Sequence, residues 1–250
     1  MSTALPTRPV LHSEWIKIRS LRGTFGALIA VLVATAGIQT FTAWAIGTAE
    51  EGAMGDDPLF ASYYAINFGQ IAAIAFGANA FAAEFHNGAL RTTFAAVPNR
   101  TRFYLSKMAV LGGLALLVGQ VTALLTFVGG QAFMGQYALK LGDPGTVRSV
   151  VGCGLYLMVI TLFSAGLTAI LRSGVAVISI LVPFVLLLSF VISGAAGAIG
   201  EFMPDKAGQM ILRSESTGGV LGPWTGMGVA MVWAAAAIIG GLMAVRRRDA

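Results

Sequence analysis

The residues that ordinarily carry chemistry are sparse in this chain, and their spacing builds no reaction centre. The lysines are Lys17, Lys107, Lys140 and Lys206, which follow Ile16, Ser106, Leu139 and Asp205. A phosphate-binding loop ends in Gly-Lys-Ser/Thr so that backbone amides and the lysine can cradle phosphates; no lysine here follows a glycine, so ATP hydrolysis is not expected of this chain. His12 and His86 form no H-E-x-x-H pair, and Cys153 is the single cysteine. No set of convergent His, Cys and carboxylate ligands for zinc results, and no internal disulfide can form. An intramembrane serine protease would need a histidine base inside an apolar segment, where none stands. The expectation is a non-enzyme, with no catalytic residues, no metal site and no cofactor held by the chain.

The uncharged polar residues show more pattern. Thr35, Gln39 and Thr42 fall on one stripe of a helix, where they could face a substrate path or make interhelical hydrogen bonds. Asn67 and Gln70 share a helix face, Asn79 points elsewhere, and packing is the favoured reading of these amides. Gly218, Gly222, Gly226, Ala230 and Ala234 repeat every four residues, which permits close backbone approach to an unnamed neighbour. Pro183 should kink the helix that holds it.

The elements that must position these residues are transmembrane helices. Hydrophobic types make up 56% of 250 residues and charged types only 11%, against about a quarter in soluble domains, and the mean hydropathy is +0.80. That composition excludes an ordinary soluble domain, a disordered chain and a disulfide scaffold. A bilayer core about 30 Å thick needs roughly 20 apolar residues of helix. About six stretches qualify: 24–46, 63–83, 108–134, 150–171, 175–195 and 224–245, none holding Asp, Glu, Lys, Arg or His. The expected class is all-α: a polytopic membrane protein with six transmembrane helices, forming one permease-like domain over 1–250. Residues 1–23 are a cytoplasmic interface segment, 24–245 the six-helix bundle and 246–250 a tail.

Twelve of the sixteen basic residues lie in the amino-terminal segment, the second-to-third loop, the fourth-to-fifth turn and the tail. The opposite loops carry most acids: Glu50, Glu51, Asp56, Asp57, Asp143, Glu201, Asp205 and Glu215. The positive-inside rule then puts both termini in the cytoplasm. The first apolar run is too long for a signal-peptide core and reads as a retained helix. Net charge of +5 is accounted for by this asymmetry, so no nucleic-acid partner is expected.

Three pieces lie outside the apolar runs. In the first, Leu11, Trp15 and Ile18 fall in one stripe with His12, Lys17, Arg19 and Ser20 away from it, which suits an amphipathic helix in the membrane interface. Membrane lipid or a protein partner fits its basic residues equally. The second is the loop 84–107, longer than a helix connection needs. Leu90, Phe94 and Val97 recur there at helical spacing beside Arg91, and Pro98-Asn99 ends the run with a turn. A knob for a partner's groove and a solvated basic loop are both open. The third, 196–223, is too polar to span and too apolar for a free tail; a re-entrant element capping the outer mouth fits, as does an ordinary folded loop.

In order along the chain, these residues resemble the membrane subunits of ABC-2-type exporters, in a short actinobacterial-like form. The resemblance is carried by 13–22 (Ser-Glu-Trp-Ile-Lys-Ile-Arg-Ser-Leu-Arg), by Glu84, Gly88, Leu90-Arg91-Thr92-Thr93, Pro98-Asn99-Arg100-Thr101 and Lys107, by 203–208, by Gly222-Pro223-Trp224-Thr225-Gly226, and by the closing Arg247-Arg248-Asp249-Ala250. It implies two membrane subunits, identical or merely similar, working with cytoplasmic ABC ATPase subunits that bind ATP and Mg. It implies that Glu14, Trp15, Lys17 and Arg19 belong to the interface helix, and that Glu84, Gly88, Leu90, Arg91 and Phe94 belong to the ATPase-coupling loop. It implies further that 196–223 caps the exit, and that the first and fifth helices line the path and the dimer seam. The expected function is the permease of an ATP-driven exporter in the cell membrane, moving a hydrophobic or amphipathic compound such as an antibiotic, peptide or lipid. The competing expectations are a membrane scaffold or immunity subunit and a secondary carrier.

Overall fold

The computed structural model describes residues 13–18, 22–47, 57–85, 94–95, 99–135, 138–188, 191–192, 197–214 and 220–247. All the regular structure in them is helical. A short helix α1 (13–18) precedes α2 (Arg22–Gly47), α3 (Pro58–Ala61), α4 (Ile66–Ala82, ending in a 3-10 turn Ala83–Phe85), α5 (Arg100–Gln131) and α6 (Thr146–Leu171). Then come α7 (Gly174–Pro183, continued by a π-turn Phe184–Leu188), a 3-10 turn Gly197–Phe202, α8 (Pro204–Gln209, with a 3-10 turn Met210–Leu212) and α9 (Pro223–Arg247).

Five helices, α2, α4, α5, α6 and α9, are long and apolar enough to cross a bilayer. The fifth expected span, 175–195, is described only at 175–188 and 191–192. Its described part, with Gly174, runs for ten α-helical residues and five π-helical ones, roughly 22 Å. Within it Pro183 lacks an N–H for the helical ladder and its ring crowds the carbonyl one turn earlier. The helix relaxes into the wider π-turn directly after it. The other spans hold to within several residues, with one informative extension: α5 starts at Arg100 rather than 108, and its 32 residues reach about 48 Å.

Local signals explain the helix starts. Asn99 Oδ1 accepts a hydrogen bond from the Arg102 backbone N–H at 3.0 Å, capping α5, and Ser173 Oγ accepts from Ala176 N–H at 3.2 Å, capping α7. Between α6 and α7 the chain turns through Arg172 at φ 54°, a left-handed residue whose N–H closes on the Thr168 carbonyl. That conformation lets two residues reverse the chain.

The core is built around α6. Its most apolar stretch is 72% buried, against 28% for α2 and for α9, so α6 is central and the other two face outward. Small residues allow the approach. Gly77 of α4 sits against the Thr161 carbonyl and Ser164 Oγ of α6, and Ser164 Oγ donates to the Ile74 carbonyl at 3.0 Å. The stripe on α9 finds its neighbours here: Gly226 faces Ala207 and Met210 beside α8, while Ala237 and Gly241 lie against Gly166 of α6. Gly166→Ala would put a methyl 2.7 Å from the Ala237 carbonyl carbon and 2.9 Å from the Ile238 nitrogen, backbone that cannot yield. We expect Gly166→Ala to lower the thermal unfolding midpoint in detergent, at an overpacking cost of about 1–3 kcal/mol. Gly113→Ala, with nothing within 4 Å, should leave it unchanged or raise it. Equal effects at the two positions would refute the α6–α9 packing.

Candidate functional site: a buried ring of charge

At one end of the bundle, four charged side chains meet out of water. Lys107 Nζ, on the second turn of α5, donates to Glu14 Oε2 of α1 at 2.9 Å and to Glu84 Oε1 at the end of α4 at 2.7 Å. Lys17 Nζ donates to Glu14 Oε1 at 2.9 Å and to the same Glu84 Oε1 at 3.0 Å. Lys107 and Glu14 are each 1% exposed and Glu84 3%, whereas the Lys17 side chain keeps 36%. Two ammoniums thus alternate with two carboxylates. Phe81 lies beneath Lys107 at 5.9 Å and Phe103 beneath Lys17 at 5.8 Å, adding apolar walls with negative ring faces. Burial pulls the Lys17 pKa down, but the Glu14 and Glu84 carboxylates outweigh it and hold it above 10.5, so it stays charged at neutral pH.

Helix geometry delivers these groups. Glu14 and Lys17 are three apart and so lie on one face of α1; Ile18, on the same side, is 1% exposed. Trp15 and Ile16 face outward, at 40% and 52%. Of the expected stripe, Ile18 is buried against the bundle, Trp15 three residues before it is more exposed, and Leu11 lies outside the described residues; the surface α1 turns to the bundle is ionic with one aliphatic residue. The reason is Lys107, whose buried ammonium draws both carboxylates inward. Next to the ring, the half-buried Phe94 meets Phe103 edge-on at 5.6 Å, and the Arg100 guanidinium lies 5.1 Å over the Phe94 ring. Arg100 Nη1 also donates to the Val245 and Arg246 carbonyls at 3.3 Å, tying the end of α9 to this basic end. The Arg172 guanidinium lies 6.0 Å over Phe85.

Of the residues expected to form the interface helix and coupling loop, Glu14, Lys17 and Glu84 come together, and Phe94 stands beside them. Trp15 points away from the ring. Arg19, Gly88, Leu90 and Arg91 lie outside the described residues. Lys107 was a basic loop residue in the sequence; its role as the ring's centre was missed. A signal existed: only Glu14, Glu84 and Asp249 among the acids fall in segments that are otherwise basic.

The polar stripe of α2 lies far along the chain from the ring members and makes contacts within the protein. Thr35 Oγ1 donates to the Val31 carbonyl at 2.6 Å and packs on Gly69. Gln39 Nε2 donates to the Ala61 carbonyl at 2.9 Å while its Oε1 accepts from Ala65 N–H at 3.2 Å, so it clamps the α3–α4 link. Thr42 is half-buried. That opposite end is held by further neutral and mixed contacts: Ser214 Oγ donates to Asp57 Oδ1 at 2.8 Å, Gln131 Nε2 donates to Ser62 Oγ at 2.8 Å, and Arg148 donates to the Arg213 carbonyl.

The site is an ionic joint between a surface helix and two of five helices long and apolar enough to cross a membrane. A family model described as ABC-2 family transporter protein matches residues 10–194, a range that holds all four members of the ring. The chain belongs to that family, whose membrane component is not itself catalytic. No curated protein and no solved structure matches it.

Removing one member of a buried ion network leaves an uncompensated charge, at a cost of about 3–5 kcal/mol. Lys107→Met should therefore strongly lower the thermal midpoint of the detergent-solubilised chain. Lys17→Met, at a half-exposed position, should cost less than about 1 kcal/mol. A Lys107→Met protein as stable as the wild type would dissolve the ring as a structural joint.

Proposed function

We propose that this chain is the permease subunit of an ATP-driven exporter in the cell membrane, pairing with a second permease subunit and with a cytoplasmic ABC ATPase that carries ATP and Mg. The observation that supports it most directly is the ionic joint. A helix in the membrane interface, pushed by a partner, cannot slide freely over α4 and α5, because Glu14 would have to give up its buried bond to Lys107, which would keep Glu84 as its one carboxylate, in a low-dielectric site. Displacement of α1 is thereby delivered to both spans as a rigid-body rotation. Phe94, resting on Phe103 at the start of α5, gives the coupling loop a second point of contact with the same helix.

In this reading the basic end is cytoplasmic, by the excess of Lys and Arg there, and both termini lie on that side. The chain crosses six times, with α7 and the residues after it as the fifth crossing: Gly174 packs on Ala78 and Ala82 near the basic end of α4, and Gly226 at the start of α9 packs beside α8. Thr35, Gln39 and Thr42 would then lie toward the outer half. The cargo is hydrophobic or amphipathic, by the apolar character of the surfaces available to it.

The test is affinity purification of the tagged chain from its native membrane in mild detergent, followed by ATPase assay with candidate cargo. An ATPase subunit should co-purify, and Leu90→Asp with Phe94→Asp should weaken its docking by more than about 2 kcal/mol, roughly thirtyfold, without loss of membrane insertion. A stable, well-inserted chain that repeatedly brings down no ATPase would overturn the proposal.

A further inference from the structure

Away from the ring, a second polar cluster joins three elements. Gln209, the last residue of α8, is 2% exposed, and its Nε2 donates to Asn67 Oδ1 at 3.3 Å and Gln70 Oε1 at 3.3 Å on α4, and to the Tyr156 hydroxyl on α6 at 3.4 Å. The Tyr156 hydroxyl donates in turn to Gln70 Oε1. Asn67 and Gln70 are the two amides whose common face is legible in the sequence, with Asn79 exposed on another side. The segment carrying Gln209 is deeply seated: Ala207, Ile211 and Leu212 have no exposed surface, Ile211 presses on Gly152 of α6, and the ring of Tyr156 presses on Gly208.

The bonding is close-fitting yet weak. All three Gln209 contacts are at the long end of the hydrogen-bond range. Gln70 Nε2, on a side chain with no exposed surface, has no partner among the described residues. Turning the Gln70 amide over does not help, since it would aim a donor at the Gln209 donor, even though the Tyr156 hydroxyl could then accept. The seated state therefore keeps one buried donor unsatisfied, and any rearrangement that brings water or a ligand to it regains that bond.

We propose that Gln209 is a latch: its amide holds residues 204–212 down on α4 and α6, and it is set weak enough to release when the bundle opens at that end. The inference rests on the permease reading for what the opening is for, but not for whether the latch exists. Gln209 acts as a positioning residue, with no contact to cargo required.

The test reads seating directly. In a Cys153→Ala background, a reporter cysteine is placed by Ile211→Cys or, in a second protein, by Leu212→Cys. The full chain in lipid nanodiscs, without any ATPase, is exposed to a bulky polar maleimide from both sides. With the latch intact both reporters should label slowly. Gln209→Ala, which strands the Asn67 Oδ1 acceptor and leaves Gln70 Oε1 with the Tyr156 hydroxyl alone, should speed labelling about tenfold, with little change in thermal midpoint. The variant Asn67→Leu/Gln70→Leu/Tyr156→Phe/Gln209→Leu replaces every member of the cluster with an apolar group and should return labelling to the wild-type rate or below. Unchanged labelling in Gln209→Ala, or equal acceleration in the single and fourfold variants, would overturn the latch. Because no ATPase is present, this outcome is independent of whether one co-purifies with the chain.

Discussion

A buried lysine held between two carboxylates from two other helices is the constraint on which the rest of this structure depends. In a low-dielectric site, an unpaired ammonium is prohibitive, so Lys107 dictates where Glu14 and Glu84 must be. Lys17 then neutralises the surplus, and the four charges sum to zero. Such a ring adds little net stability compared with apolar packing, because each ion gave up its hydration to enter it. Its contribution is specificity. Only one position of α1 along the end of α4 and the start of α5 satisfies all the groups, so a helix six residues long, far too short to be stable alone, acquires a defined seat.

The two ends of the bundle are fastened by different chemistry. At the basic end the joints are ionic, aided by Arg100 on the last carbonyls of α9 and by aromatic contacts. At the opposite end they are mostly amides and hydroxyls, among them Gln39, Gln131 and Gln209, with Asp57 accepting from Ser214. Breaking a charged bond in a buried site costs several times what breaking a neutral one does. Under the permease reading, a bundle with its buried ion pairs at one end would hold together where it is pushed and part more readily at the other, where the charged groups bond to neutral partners, Arg148 to the Arg213 carbonyl and Asp57 to Ser214.

The sequence made the spans legible because lipid imposes length and apolarity on every residue of a crossing helix, and α2, α4, α5, α6 and α9 are close to expectation. It foretold a distortion at Pro183 but not the π-turn that follows, because the form depends on how the backbone relaxes, which hydropathy does not report. The ionic part of the inner face of α1 was not legible for a related reason: Glu14 meets a lysine that only the fold brings near. Glu14, Lys17 and Glu84 were singled out through resemblance to a family, while Lys107 completes the ring only in three dimensions, 93 residues from Glu14. Gln209 belonged to no span and to no motif. Its position between α4 and α6 follows from Gly152 and Gly208, whose missing side chains open the space.

The interior of the chain also bears on where cargo can travel. Several of its hydroxyls are turned onto their own helices, among them Thr35 on Val31, Thr40 on Ala36, Thr161 on Leu157 and Thr168 on Ser164, while Ser164 reaches Ile74 on α4. Aromatic and small residues fill the remaining space around α6, and a cavity of about 20 Å³ beside Gln39, Ser62 and Gln131 has room for a single water. A drug-sized compound needs several hundred cubic ångströms, and a hydrophobic one gains nothing from a wet channel. Under the permease reading, the surfaces the chain leaves to lipid or to a second copy offer a hydrophobic cargo more room than that cavity does. Those include α2, where Phe25, Phe41 and Trp44 are exposed, and the groove of about 370 Å³ that Pro183 and its π-turn open between Ile180 and Val191. Pro183, the π-turn after it and the groove beside them are then one feature: a distorted helix presents a concave apolar surface that a regular helix would not.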